Sequence, residues 1–359
     1  MDAHPSPLRV VQWTTGNVAR QAMRAILRRP DLELVGVYAF SDDKVGKDAG
    51  ELARLGETVG VAATNDIDAL LALKPDCVLY MPLHPDIGHL TTLLRSGVNV
   101  LSTAAFITGR SYGEAARKEL EQAALDGGAS LFGTGVNPGF ADYLTAVASG
   151  VSRDVSYVRV LESFNIGTWA GDANQDELGW GRPAGDPGHA DDIAAATAVF
   201  GDAVESMGEM FGVTLDDIRC AVDFAHAKSD VVAIPGRSIK AGTVAGIEAR
   251  WIGSVAGTDV IEAAVRWTVA PDLEPDWDVA MAYQIEITGY PQVNVRAEVL
   301  PADMENMSLD DMLAIGSVIT AMPVVNAIPG VVAARPGIVT YRDLPPQASP
   351  LVVDGTPAD

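Results

Sequence analysis

The sequence predicts an α/β protein: an N-terminal doubly wound parallel sheet of the Rossmann type, then a second α+β domain on an open, mostly antiparallel sheet. Three observations predict it. Short apolar runs of strand type alternate with helical periodicity through roughly the first 140 residues. The first strand breaks on a turn holding Gly16 directly before a helix. From Val155 onward, runs with period-2 alternation replace that rhythm.

Leu8 to Trp13 is the first strand, and Thr14-Thr15-Gly16-Asn17 breaks it. Val18, Ala22, Ala25 and Ile26 then recur at helical spacing, with Arg20, Arg24 and Arg28 opposite. Pro30 stops this helix, and Leu32 to Phe40 is a second buried strand. Asp66–Leu73 is expected to be a short helix, Cys77–Met81 a strand, and Asp86 the N-cap of a helix reaching Arg95. Val98–Leu101 is the next strand, Tyr112–Leu125 a helix, and Ser130–Phe132 a strand running into Gly133-Thr134-Gly135-Val136-Asn137-Pro138-Gly139-Phe140. In the second domain, Val155–Phe164 alternates like a half-buried strand and 165–190 is a long loop; Phe164, Trp169 and Trp180 either wall a substrate pocket or pack a dimer contact or the domain's own core. A single helix is expected over Ala190–Phe211 and strands near 218–226, 230–234, 242–252, 259–269, 279–289 and 293–299. Leu309–Met322, capped by Ser308, is a helix returning to the first domain. The expected boundaries are 8–150 for a dinucleotide-binding domain, 151–305 for a substrate and dimerisation domain, 306–345 for the returning helix and strand, and 346–359 for a disordered tail.

At 359 residues, and about 150 per domain, two domains are expected. The 25 basic and 48 acidic residues leave a net charge of −23, a field that repels phosphate backbones and anionic membrane surfaces. Cys77 and Cys220 cannot make a disulfide framework, and five histidines give no dense metal cluster. No apolar run reaches the ~18 residues of a membrane span, and Met1–Pro7 lacks signal-peptide features, so a cytoplasmic protein is expected.

Ligands of doubly wound sheets lie beyond the carboxyl ends of the strands, which here are 13–16, 41–44, 81–85, 102–106 and 133–140. A helix N-terminus beside a strand end offers N–H groups and positive dipole to a pyrophosphate. Against G-x-x-G-x-x-G the chain has Trp13, Gly16 and Ala19, so Thr14, Thr15, Gly16, Asn17 and Val18 form either a dinucleotide site or a plain crossover. At the end of the second strand, Ser41 and Lys44 suit a 2′-phosphate, Asp42 or Asp43 a ribose diol, and a solvated turn is the third reading. NADP(H) is preferred, with NAD(H) possible. Met81, Pro82, Thr103, Ala104 and Asn137 complete the expected cofactor contacts.

Three segments, TTGNVAR (14–20), KVGKDAGEL (44–52) and GTGVNPGF (133–140), together resemble the dihydrodipicolinate reductase-like oxidoreductases. Within these, the chain is most similar to the branch of 2,4-diaminopentanoate dehydrogenase and the native amine dehydrogenases, and VVNAIPGVVAARPGIVTYRDLP (324–345) is typical of actinobacterial members. The resemblance spans about residues 8 to 345. It implies hydride transfer between a nicotinamide and a C=N or C=O carbon of a small apolar substrate by a homodimer. It also implies a glutamate just after the strand matching Val98 to Ser102, where this chain reads Ser102-Thr103-Ala104-Ala105-Phe106 with no carboxylate until Glu114. A buried ammonium needs an opposing charge, so the departure makes carbonyl or imine reduction as competitive as amine dehydrogenation. It also keeps open a non-catalytic dinucleotide-binding sensor or interaction protein. The His-His pair and lysine of dihydrodipicolinate reductases are missing; His189 and His226 stand alone.

Four residues are candidates for catalysis. Thr103 falls at the family's nicotinamide contact, and Asn137 either meets cofactor or substrate or holds its own turn. His84 is a proton donor or a solvated loop residue. Glu162 either replaces the missing glutamate or faces solvent from its strand.

Overall fold

A computed structural model of the chain describes residues 6–167, 177–234, 237–301, 309–353 and 356–357. The chain divides into two compact units, one of residues 1–139 and 314–359, the other of residues 140–313.

In the first unit, β1 (Leu8–Trp13) buries Val10, Val11 and Trp13 completely, as a strand covered on both faces must. The buried stripe of α1 (Asn17–Ile26) is Ala19, Ala22, Met23 and Ile26, the i, i+3, i+4, i+7 spacing of one helix face. Next come β2 (Leu32–Tyr38), α2 (Ala49–Leu52), β3 (Ala63–Thr64) and α3 (Ile67–Ala72). The Asp66 carboxylate caps α3 by accepting from the Ala69 N–H at 3.0 Å. After β4 (Cys77–Tyr80), Asp86 caps α4 (Ile87–Arg95) in the same way through the His89 N–H. β5 (Asn99–Ser102) is followed by a 3₁₀ turn at Arg110–Tyr112, which delays α5 to Glu114–Gly127. Gly128 ends α5 in the left-handed conformation, and β6 (Ser130–Gly133) follows.

The second unit begins with α6 (Phe140–Ser149) and β7 (Arg153–Asn165). The single helix expected over 190–211 is two helices, α7 (His189–Ala196) and α8 (Val199–Phe211). The break centres on Thr197. Thr197 turns its hydroxyl back onto the Ile193 carbonyl at 2.7 Å and also accepts from Trp251 Nε1 at 3.0 Å. Strands β8 (Asp217–Ala227), β9 (Val231–Ile234), β10 (Arg237–Ile239), β11 (Val244–Val255), β12 (Thr258–Thr268), β13 (Leu273–Glu274), β14 (Ala282–Tyr290) and β15 (Val293–Ala297) complete the unit. The sheet order is β13-β8-β11-β12-β7-β14-β15, antiparallel throughout except for the parallel β12–β7 pair. Helices α7 and α8 cover one face of it, against β8, β11 and β12. Gly201 lets α8 close on the sheet, since a Cβ there would meet the Trp251 ring at 2.9 Å.

The returning helix α9 (Leu309–Val332) runs ten residues past the expected end at Met322, through both Pro323 and Pro329. Ser308, its expected cap, lies outside the described residues. Each proline removes a helix hydrogen bond, but Ala321, Val324, Val325, Ala327, Ile328 and Val331 are buried around them. The extension also corrects the expectation about apolar length: Ala314–Val332 is a 19-residue segment long and apolar enough to cross a membrane. A buried stripe, and an Arg29 side chain that donates to Asn326 at 3.3 Å, are features of a helix packed into a protein core. β16 (Gly337–Val339) then joins β6, and the first sheet is wholly parallel in the order β16-β6-β5-β4-β1-β2-β3. Residues 346–351 carry no regular structure, and β17 (Val352–Val353) pairs with β18 (Thr356–Pro357).

Gly133, at the carboxyl end of β6, is where the loop after β5 is seated. A Cβ on it would lie 1.8 Å from the Phe106 carbonyl oxygen, a backbone atom with no easy way to move. Gly133→Ala is expected to lower stability by about 2–4 kcal/mol, in the overpacking range or above it. Thermal unfolding of the variant beside wild type checks this.

Candidate dinucleotide site

The turn after β1 is tied to two neighbouring strands. The Thr14 N–H donates to the Tyr38 carbonyl at 3.0 Å, and its hydroxyl donates to the Met81 carbonyl at 3.1 Å. Holding both contacts puts Thr14 at φ +82°, a conformation a β-branched residue seldom adopts. Trp13, in the first glycine position of the motif, points into the core and stacks on Tyr38 with ring centroids 3.9 Å apart. Tyr80 and His89 pack around the same indole. Burial pushes the Tyr80 phenol up to about 12, and its oxygen accepts from the Asp86 N–H at 2.9 Å, joining β4 to the start of α4.

Gly16 is the N-cap of α1, with no side-chain cap, and a Cβ built on it meets nothing within 4 Å. That open space over a helix N-terminus fits a dinucleotide's diphosphate. Asn17 is exposed and Val18 half-buried in the first turn, and Thr15 is buried beneath. Lys44 reaches back from the 3₁₀ turn Asp42–Lys44 and donates from Nζ to Thr15 Oγ1 at 3.0 Å, while Ser41 caps that turn and is exposed. Asp42 accepts from Asn65 Nδ2 at 3.3 Å. The connection carrying Lys44 is itself anchored by Asp48, whose carboxylate accepts from the Gly50, Val59 and Gly60 N–H groups at 2.7, 2.9 and 2.8 Å. These bonds, that of Val59 first, hold the Asp48 carboxyl below the usual carboxylate range.

At the end of β5 the Ser102 hydroxyl accepts from the Ala104 N–H, and the Tyr112 hydroxyl donates to the Ala104 carbonyl. Thr103 is half-buried and its N–H donates to the Tyr80 carbonyl at 3.2 Å; Ala105 follows in the left-handed region at φ +48°. On the next strand, the Thr134 N–H donates to the Ser102 carbonyl, and its hydroxyl meets Tyr341 Oη at 2.9 Å. Asn137 follows on this turn, joined to Pro138 by a cis peptide.

The structure thus brings Thr14, Thr15, Gly16, Asn17, Val18, Ser41, Lys44, Met81, Pro82, Thr103, Ala104 and Asn137 to the carboxyl edge of one parallel sheet. His84 is exposed on the loop after β4. Glu162 belongs to the other unit, on β7, and its expected solvent-facing position is corrected: it is 8% exposed. Its carboxylate accepts from Trp267 Nε1 at 2.9 Å, and with burial it pushes the Tyr283 phenol upward. Phe164 and Trp180 are buried, and Trp169 lies outside the described residues. Sequence reasoning missed Tyr112, which gives no signal before the fold places it under Ala104. It also missed the Trp13–Tyr38 stack, whose signal was the tryptophan standing in a glycine position. Among the described residues no group of three or more His, Cys, Asp or Glu is placed to hold a metal.

A parallel sheet whose strand ends converge on one edge is the architecture of dinucleotide-binding domains, and comparison with known proteins shows the chain to be an NAD(P)-dependent oxidoreductase. The family model of the 2,4-diaminopentanoate dehydrogenase C-terminal domain matches residues 142–354, and the chain belongs to that family. It is 33% identical over 351 residues to an amine dehydrogenase of Streptomyces virginiae, covering 93% of this chain and 95% of that one. A 4-hydroxy-tetrahydrodipicolinate reductase of Trichormus variabilis is 36% identical over 88 residues, covering 23% of this chain and 31% of the reductase. Among solved structures, the amine dehydrogenase of Mycobacterium smegmatis shares the fold at a TM-score of 0.77 and 22% identity, covering 96% of this chain and 98% of that one. These likenesses do not favour the non-catalytic alternative.

Because the folded pKa of Asp48 is depressed, its contribution is full above the unfolded value near ~3.9 and is lost as pH falls through the folded value. Asp48→Asn is therefore expected to lower the melting temperature at pH 7, with the gap to wild type closing below about pH 4. Melting curves across pH 2.5 to 7 check it.

Proposed function

We propose that this oxidoreductase uses NADPH in preference to NADH to reduce a C=N or C=O carbon of a small apolar substrate. The observation that carries the reading is the likeness to an amine dehydrogenase over 93% of the chain, on a first unit whose strand ends fit a dinucleotide. Thr14 to Val18 take the diphosphate over the N-terminus of α1. Lys44, with Ser41, takes the 2′-phosphate, a role supported by an ammonium already held at Thr15. Met81, Pro82, Ala104 and Asn137 border the nicotinamide half.

The bound nicotinamide supplies a hydride to the electrophilic carbon. The chain's part is to hold that carbon in line and to stabilise charge on the heteroatom. Thr103 and Asn137 are the donors assigned to this, and His84 the residue assigned to proton delivery to the oxygen or nitrogen. With Ala104 and Ala105 after β5, no carboxylate stands there to hold an ammonium, which favours neutral carbonyls and preformed imines. Glu162, on β7, is the carboxylate proposed for amine chemistry if free ammonium is used. The working unit is proposed to be a cytoplasmic homodimer.

Two outcomes are expected. Lys44→Ala should raise the KM for NADPH about tenfold or more while leaving that for NADH within twofold, the loss of one charge-assisted contact; equal effects on both cofactors would remove the 2′-phosphate assignment. A ketone and aldehyde panel with NADPH should show oxidation without ammonium, yielding alcohol. Ammonium-dependent amine formation would instead establish amine dehydrogenation. Loss of that activity alone in Glu162→Gln, which keeps an acceptor for Trp267, would identify the replacement carboxylate.

A further inference from the structure

Phe40, just beyond β2, is 54% exposed, although Tyr38 and Trp13 beside it are buried. Ala39 carries on the pairing of β2, its N–H donating to the Thr64 carbonyl at 2.9 Å. Tyr38 and Phe40 therefore fall on the same side of an extended segment. Their rings meet edge to face, with centroids 5.0 Å apart and planes at 86°. His89, in the first turn of α4, meets Tyr38 at 6.1 Å and 63°. Phe40 and His89 in turn lie 6.4 Å apart and are tilted by only 35°. The three rings make a slot, with Tyr38 as its floor and Phe40 and His89 as its walls. Trp13 braces the floor, stacked on Tyr38 at 3.9 Å and 7°, and it also meets His89 at 5.6 Å. The His89 side chain is 25% exposed, so both walls reach solvent.

A flat ring seated between two others needs about 7 Å between them, two contact distances of about 3.5 Å. A small outward swing of the exposed Phe40 gives the slot that width. The place of the slot in the chain says which flat ring. Ser41 follows Phe40 directly, and Ser41 and Lys44 are the residues proposed above for the 2′-phosphate. In NADPH that phosphate and the adenine hang from adjacent carbons of one ribose, so a phosphate held there brings the base beside Phe40. We propose that Tyr38, Phe40 and His89 form a stacking slot that holds the adenine by its faces and leaves its hydrogen-bonding edge at the solvent mouth. The inference rests on the dinucleotide reading and adds recognition of the base, to which that reading gives no residue. Because every base has a π-face, a slot of this kind accepts hypoxanthine in place of adenine.

The test uses calorimetry on the full chain with four probes: NADPH, NADH, adenosine 2′,5′-bisphosphate, and the NADPH analogue carrying hypoxanthine. Phe40→Leu keeps an apolar side chain but removes the ring. Its Kd values for NADPH, NADH and the bisphosphate are expected to rise alike, by about fivefold to a hundredfold, the range for a lost base stack. Phe40→Trp should bind all three at least as tightly as wild type. Ligand-free Phe40→Leu should melt within about 2 °C of wild type, as expected for a surface substitution. The hypoxanthine analogue should bind wild type within about threefold of NADPH. A loss confined to NADPH would make Phe40 part of the phosphate site and overturn the slot, as would an equal loss in Phe40→Trp or an analogue weaker by about tenfold or more. Failure of the wild-type protein to bind NADPH and NADH would overturn the dinucleotide reading and the slot with it, whereas wild-type binding with an indifferent Phe40→Leu overturns the slot alone.

Discussion

The N–H and the hydroxyl of Thr14 bond to different strands, to Tyr38 at the end of β2 and to Met81 just beyond β4. β1 lies between those two strands, so this one residue closes the carboxyl edge of the sheet at its centre. Both bonds require the chain to turn through a left-handed conformation that costs a threonine of order 1 kcal/mol or more. The neighbouring packing makes that conformation compulsory: Trp13 is locked against Tyr38, and α1 must start at Asn17 for its apolar stripe to meet the sheet. Gly16 then falls where it can face open space.

The other half of the edge depends on a close backbone approach. Gly133 admits the Phe106 carbonyl, and the loop between is held by Ser102 and Tyr112 on the two sides of Ala104. A loop this constrained presents Thr103 in one arrangement, which the role proposed for it in hydride transfer would require. The same economy appears in the electrostatics. Against an overall charge of −23, cations are gathered at the turn after β1, with Lys44 on Thr15 and Arg20 on Asn17. A local field set by nearby side chains outweighs the distant net charge, which salt screens within about 10 Å.

In the second unit the sheet separates two kinds of interaction. Under α8, Gly201 meets the Trp251 ring and Glu162 is sequestered by Trp267 and Tyr283. Elsewhere on the sheet Arg159 gathers Glu262, Glu286 and Glu248, and burial works against its charge but is outweighed by those carboxylates, so its pKa is raised. A carboxylate as buried as Glu162 needs its indole partner, which gives that residue a structural task whatever else it does.

Much of this was legible in the residues themselves. The strand–helix alternation, the stripe of α1, the aspartate cap of α4 and the period-2 strands of the second unit are local patterns, and a chain has few ways to bury such patterns other than as these elements. Strand ends in a parallel sheet converge by topology, so the meeting of those segments on one edge was legible too. What the tertiary structure alone decided are contacts between residues far apart in the chain. The run of α9 through Pro323 and Pro329 depends on burial of its apolar stripe, the break at Thr197 on Trp251, and the burial of Glu162 on Trp267. Propensity and periodicity act within a turn or two of chain, whereas these outcomes were set by partners tens to more than a hundred positions away.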